Sequence, residues 1–200
     1  MPYNNDRSFT DNVHNRLAVD IIYRQMGWVV QDLNARMLEN IDMQNAVDYG
    51  AIDNNDPTSP RFITIQERFR DNYYQTYNDF TIRYERPENT HVERRKSEFY
   101  KLDADYFVYG IINSNKWDVD RATGFVKYAV INIPRLKAMI EEDRIVIDAG
   151  LPGKRCKVQD GKMICPVNNN RDSSSNFVPF DICILAEIAP DVIEYQEGFY

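Results

Sequence analysis

Asp48 and the run Gln66-Glu67-Arg68 are the residues of this chain whose types and spacing suit a reaction. Asp48 opens an apolar stretch that reads as a strand, and Gln66, Glu67 and Arg68 lie on the next one, after the turn-forming run Asn54 to Pro60. On a strand, residues two apart share a face, so Gln66 and Arg68 point together while Ile65 and Phe69 point the other way. A pairing strand would bring Asp48 alongside them. That arrangement suits metal-dependent phosphodiester hydrolysis. A carboxylate (Asp48) binds Mg²⁺ or Mn²⁺, the Gln66 carbonyl or the adjacent Glu67 completes a hard-oxygen shell, and Arg68 offsets charge growing on the phosphate. The same residues also suit structural uses: Asp48 solvated at a strand edge, and Gln66, Glu67 and Arg68 forming a cross-strand polar ladder.

The surrounding charge is unlike the average. The chain carries 24 Lys and Arg against 31 Asp and Glu, a net charge of -7, which excludes nonspecific coating of nucleic acid or an anionic membrane. Between Ser59 and Lys101, however, nine Lys and Arg face seven Asp and Glu. Arg70, Arg94, Arg95, Lys96 and Lys101 are the expected backbone contacts to nucleic acid, with Tyr73 interleaved to stack on bases or sugars. Ser97 and Lys101, one helical turn apart, are both placed to touch a phosphate. A solvated charged rim with tyrosines at core edges is the plainer use of the same residues.

Other chemistry finds little support. His14 reads as a surface helix residue and His91 as part of a charged loop, although Asp11 or His14 could approach the Asp48 site from the first helix. No Ser or Cys sits in a nucleophile elbow or a Cys-His pattern. Cys156, Cys165 and Cys183 lack the spacing of a zinc clip and read as reduced thiols. Cys156 and Cys165 flank the Asp160-Gly161 turn, which makes a cross-strand disulfide a secondary expectation.

The elements that must position these residues follow from periodicity. Thr10 and Asp11 suit a helix start, with Val13, Leu17, Ala18, Ile21 and Ile22 on one stripe and Gly27 as the stop. Strands are expected at Trp28 to Val30, Ala46 to Ile52, Phe62 to Phe69, Phe80 to Tyr84, Ala104 to Ile112, Val126 to Ile133 and Arg144 to Ile147. Helices are expected at Ala35 to Met43, at Ser97 to Leu102, and from Pro134 to Glu142. The tail reads as a hairpin around Asp160-Gly161, a loop over Asn168 to Asn176 and a last apolar strand from Phe180 to Ile188. At about 100–200 residues per domain, the length predicts a single domain over residues 1–200. Its expected core covers about 10–140 and a C-terminal β-rich extension about 141–200, in an α/β chain with a central mixed β-sheet flanked by helices.

A helix ending in Gly27-Trp28, then Asp48, then Gln66-Glu67-Arg68, resembles the core of the PD-(D/E)XK, or restriction-endonuclease-like, nuclease superfamily. The resemblance covers about residues 10 to 112. Two departures mark it as an atypical Gln-x-Arg variant: Gln66 stands where the family has an acid, and Arg68 where it has a lysine. Arginine stays protonated and cannot act as a base, but it can clamp a phosphate. The resemblance implies one or two Mg²⁺ ions and hydrolysis of DNA, in some members of RNA. A metal-dependent endonuclease is thus the leading expectation. A noncatalytic member of that fold, binding nucleic acid or protein, is the alternative, and an acidic inhibitor mimicking nucleic acid is a third. A homodimer or a protein partner is compatible with each. The polar start of the chain and the lack of any ~20-residue apolar run predict no membrane partner and a cytoplasmic location.

Overall fold

The computed structural model describes residues 2–31, 47–87, 90–91, 97–151, 153–171 and 173–200, with side chains from Arg7 onward. The expected helix at 35–43, the start of the expected strand at Ala46, and Arg94, Arg95 and Lys96 lie outside these described residues. The chain adopts the mixed α/β organisation with a central mixed sheet. It divides into two compact units. One comprises residues 1–77, 104–131 and 195–199, the other 78–103, 132–194 and 200. The second unit therefore draws on a segment, 78–103, from within the expected core as well as on the C-terminal third.

The first unit begins with a long helix, α1, that is α-wound over Pro2–Val13 and π-wound over His14–Tyr23. The wider winding is visible in the backbone, where the Arg24 N–H donates to the Val19 carbonyl, five residues back. Phe9, Val13, His14, Leu17, Ala18, Ile22 and Tyr23 are its buried residues. They recur at intervals of four to five, longer than the α-helical repeat of about 3.6. The helix stops at Gly27, whose φ of 69° is left-handed and where a Cβ would stand 2.7 Å from Asn55 Oδ1.

Strands β1 (Trp28–Gln31), β2 (Tyr49–Asp53) and β3 (Arg61–Arg70) form an antiparallel meander. Strand β5 (Tyr106–Ile112) then pairs with β3 in parallel, and β6 (Phe125–Asn132) and β12 (Ile193–Glu197) complete the sheet in the order β1-β2-β3-β5-β6-β12. Every residue of β5 is buried, as expected of a strand covered on both faces. Gly110 within it is dictated by packing, since a Cβ there would meet the Phe125 ring at 2.8 Å.

The second unit holds two three-stranded sheets. In one, β11 (Asn176–Asp181) lies between β10 (Asn168–Asn169) and β4 (Asp79–Arg83). In the other, β9 (Lys162–Pro166) lies between β7 (Ile145–Asp148) and β8 (Lys157–Gln159). Among the described residues, its α-helices are Glu98–Lys101, Ile133–Glu141 and Ile182–Ile188. Asn132 caps the second of these through an N–H of Arg135, with Pro134 in the first turn.

Two expectations for the tail are corrected. The apolar run from Phe180 to Ile188 is not one strand: β11 ends at Asp181, whose carboxylate accepts the Ile184 N–H and starts a helix. The expected loop at 168–176 contributes a short strand pair, Asn168 with Phe177 and Asn169 with Asn176. Among the described residues, no helix is long and apolar enough to cross a membrane.

Candidate functional site

The site forms where β2 meets the middle of β3. Tyr49 pairs with Ile65, and just before it Asp48 leaves the ladder. The Asp48 N–H donates to the Ile65 carbonyl at 2.9 Å, and the Asp48 carboxylate accepts the Glu67 N–H at 2.8 Å. The two bonds bracket the Gln66 backbone, so Asp48 lies alongside this stretch of β3. Asp48 thereby also closes the end of the β2–β3 ladder, satisfying a backbone donor that the departing strand leaves open.

Strand alternation then separates Gln66 from Glu67. Gln66 and Arg68 share one face, where the Arg68 guanidinium lies 5.9 Å from the ring centroid of Phe107, the β5 partner of Gln66. Gln66 is 8% exposed, and its Oε1 is buried without a hydrogen-bond partner among the described residues. A buried carbonyl oxygen left in that state costs about 1–3 kcal/mol. It is an acceptor that a hydrogen-bond donor, a water or a cation would satisfy.

Glu67 faces the other way, with Ile65 and Phe69, towards α1. It is 3% exposed, and its Oε1 accepts both the Tyr23 hydroxyl at 2.6 Å and His14 Nδ1–H at 2.9 Å. Oε2 is buried without a partner among the described residues. The π-winding of α1 makes this convergence available. His14 and Tyr23 are nine positions apart, and at about 100° per residue an α-helix would put them on opposite sides. A π-turn holds roughly one residue more, so nine positions make about two full turns and both side chains reach one carboxylate.

His14 is thus buried, not on the surface as its sequence context predicts. Tyr49 stacks on it, with ring centroids 3.6 Å apart, and donates its hydroxyl to Asp11 Oδ1 at 3.0 Å. Burial first, and the neighbouring Glu67 carboxylate second, push the Tyr23 and Tyr49 phenols well above the ordinary tyrosine range. Both remain donors at any physiological pH. Tyr23 and Tyr49 are the site residues that sequence reasoning missed. The signal that would have found Tyr23 is the spacing of the pairs 13/14, 17/18 and 22/23, which fits a repeat of four to five better than one of 3.6.

The remaining candidates fall in different places. Arg70 ends β3 with its guanidinium 5.3 Å from the Tyr74 ring centroid, and Tyr73 is 68% exposed in the following turn, beside Tyr74. Both belong to the first unit. Ser97 and Lys101 belong to the second, at the start and end of the short helix. Ser97 is buried at 5% exposure while Lys101 is exposed, so they do not present one open phosphate-binding face.

For a hard divalent cation, Asp48 and Gln66 supply oxygen donors of suitable type, a carboxylate and a carbonyl oxygen without a partner among the described residues. It fits less well at Glu67, where one oxygen already receives two donors. Among the described residues, no group of three or more His, Cys, Asp and Glu side chains is arranged to hold a metal ion. Set against known proteins, the chain matches no family model, no curated protein and no solved structure.

Proposed function

We propose that the chain is a metal-dependent endonuclease-like protein that hydrolyses phosphodiester bonds in DNA, with Asp48 and Gln66 holding Mg²⁺. The observation that carries this reading is the buried Gln66 Oε1, without a partner among the described residues, on the residue whose backbone the two Asp48 hydrogen bonds bracket. The order of elements supports it: a helix, a three-stranded antiparallel meander and a strand parallel to the third suit a restriction-endonuclease-like core. When bound, Mg²⁺ supplies an activated water and neutralises phosphate charge. The chain's own residues would orient that chemistry. Asp48 is fixed by the Glu67 N–H, Arg68 brings a permanent cation to the Gln66 face, and the Glu67, His14 and Tyr23 cluster fixes β3 against α1.

The test is incubation of purified protein with supercoiled, linear and branched DNA, and with RNA, in Mg²⁺ or Mn²⁺. Cleavage by the wild type, lost on chelation and lost in Asp48→Asn, is the expected result. No cleavage, or equal cleavage by the variant, overturns the reading.

A second reading has its own observation. Glu67 is engaged by two buried donors, and Arg68 lies against Phe107 and cannot deprotonate. A noncatalytic module of the same fold, binding nucleic acid or protein, would keep these contacts for stability alone. Binding of DNA that survives chelation, without cleavage, is its positive result.

A further inference from the structure

The second unit holds a pair of sulfurs that the site above does not use. Cys165, on β9, is fully buried, and Cys156, just before β8, is partly exposed. Strands β8 and β9 are antiparallel with Lys157 opposite Ile164, so Cys156 and Cys165 occupy the next opposed position in register. Directly opposed residues of antiparallel strands have Cα atoms about 4.5–5.5 Å apart, inside the ~4.4–6.8 Å that a disulfide spans. The side chains already meet: Sγ of Cys156 lies 3.8 Å from Sγ of Cys165. The Cys156 thiol also donates to the Pro179 carbonyl on β11 at 3.2 Å, which fixes the sulfur beside its partner.

We propose that Cys156 and Cys165 are a redox-active dithiol, a modification site that a low-molecular-weight disulfide such as oxidised glutathione converts to an intramolecular disulfide. Cys156 reacts first, being the more accessible of the two. Its thiolate attacks one sulfur of the incoming disulfide, forming a mixed disulfide and releasing one thiol. Cys165 then gives up its proton and attacks the Cys156 sulfur, forming the Cys156–Cys165 bond and releasing the second thiol. Two protein thiols are oxidised and one small disulfide is reduced to two thiols, so the exchange balances. The hydrogen bond with Cys156, and burial after it, hold the Cys165 thiol above the ordinary range, in keeping with Cys156 as the attacking group. Met163 and Cys165 share the buried face of β9, whereas all three residues of β8 are exposed. The bond would therefore staple an exposed edge strand to the core of its unit.

The test uses the full chain, equilibrated with oxidised glutathione, quenched in acid, unfolded, alkylated and mapped by mass spectrometry. The reduced protein carries three alkylatable thiols, from Cys156, Cys165 and Cys183. The expected result is a fall to one, that of Cys183, with a mass loss of about 2 Da, a linked peptide joining 156 to 165, and full reversal by dithiothreitol. Cys183→Ser keeps this behaviour, and Cys156→Ser abolishes it while leaving both remaining thiols alkylatable. Three alkylatable thiols in the treated wild type, a persistent glutathione adduct on Cys156, or a bond that includes Cys183 would each overturn the proposal.

Discussion

The two faces of β3 put neighbouring residues to opposite uses. On the α1 face, Ile63, Ile65 and Phe69 are buried in the apolar core, and the buried charged member, Glu67, accepts two hydrogen bonds from a single helix. On the other face, Gln66 keeps a buried oxygen without a partner among the described residues, and Arg68 and Arg70 carry cations that lie against aromatic rings. A residue's chemical type therefore does not assign its work. The carboxylate, the better metal ligand by type, commits one oxygen to the packing of the sheet against its helix and leaves the other without a partner among the described residues, whereas the open oxygen of the amide beside it lies on the opposite face. If that division is right, substitutions on the α1 face should cost stability, and substitutions around Gln66 should cost function.

The largest expected effect is that of Glu67→Ala. It removes the shared acceptor of Tyr23 and His14 and strands two buried groups at ~1–3 kcal/mol each, or about 4 kcal/mol in all. Urea unfolding followed by circular dichroism measures it. A loss below about 1 kcal/mol would break the comparison, because Glu67 would then be as dispensable as a surface residue.

How much of this arrangement the sequence discloses depends on the physical signal. The strands are legible because alternation and continuous apolar runs are local properties: β5 is a seven-residue apolar stretch, and β3 shows its pairing face in Ile63 and Ile65. The α1 stop is legible in Gly27, and the meander in the turn residues between β2 and β3. That Asp48 lies alongside the middle of β3 follows from strand pairing alone. The role of Glu67 does not, because it depends on which side chains of α1 face β3, and that depends on a π-winding that an assumed 3.6-residue period conceals. Asp181 misled for a similar reason. An apolar run from Phe180 to Ile188 reads as a strand until the capping carboxylate inside it is given weight.

Tyr23→Phe acts on the same carboxylate with a smaller effect. It deletes one of the two donors to Glu67 and should cost about 2 kcal/mol, typical of a hydrogen bond to a charged group. The same substitution has a pH signature. Burial and the Glu67 carboxylate raise the Tyr23 phenol in the folded state, whereas in the unfolded chain it ionises near pH ~10. Below that pH both states keep the proton and the contribution is fully present. Above it the unfolded state releases a proton that the folded state retains, so stability falls by up to ~1.4 kcal/mol per pH unit. In Tyr23→Phe the alkaline decline should be shallower by that amount, with Tyr49 still contributing its own. Unfolding curves between neutral pH and the alkaline limit test this. Identical slopes would mean that Tyr23 is not held as a buried donor.

Asp48 separates stability from function within one residue. Asp48→Ala orphans the Glu67 N–H and should cost about 1–3 kcal/mol. Asp48→Asn keeps an oxygen to accept that N–H, and its cost should stay within about 1 kcal/mol. If Asp48 serves only to close the ladder, the Asn variant should behave as wild type in every assay. If it also holds a cation beside Gln66, the Asn variant should fold normally and lose metal-dependent cleavage, because the charge that attracts the ion is gone. Thermal unfolding and cleavage assays on the same preparation decide between the two.

The smallest effect on stability, and the finest probe of the Gln66 face, is Arg68→Lys. Arg68 is half-buried with its guanidinium over Phe107, and a lysine stem covers similar apolar surface, so the change should stay near 0.5 kcal/mol. Its chemistry changes more. Arginine stays protonated throughout the accessible range, whereas lysine near a phosphate and a cation can lose its proton. In a hydrolase whose Arg68 acts only as a fixed cation, the lysine variant should still cleave, with a pH–rate profile that gains one alkaline limb. Cleavage by the lysine variant alone, with a silent wild type, would mean that arginine had silenced a metal site that Asp48 and Gln66 still form. Silence in both, with DNA binding intact after chelation, would assign the Arg68 face of β3 to binding and leave the Gln66 oxygen as an acceptor for ligand or solvent.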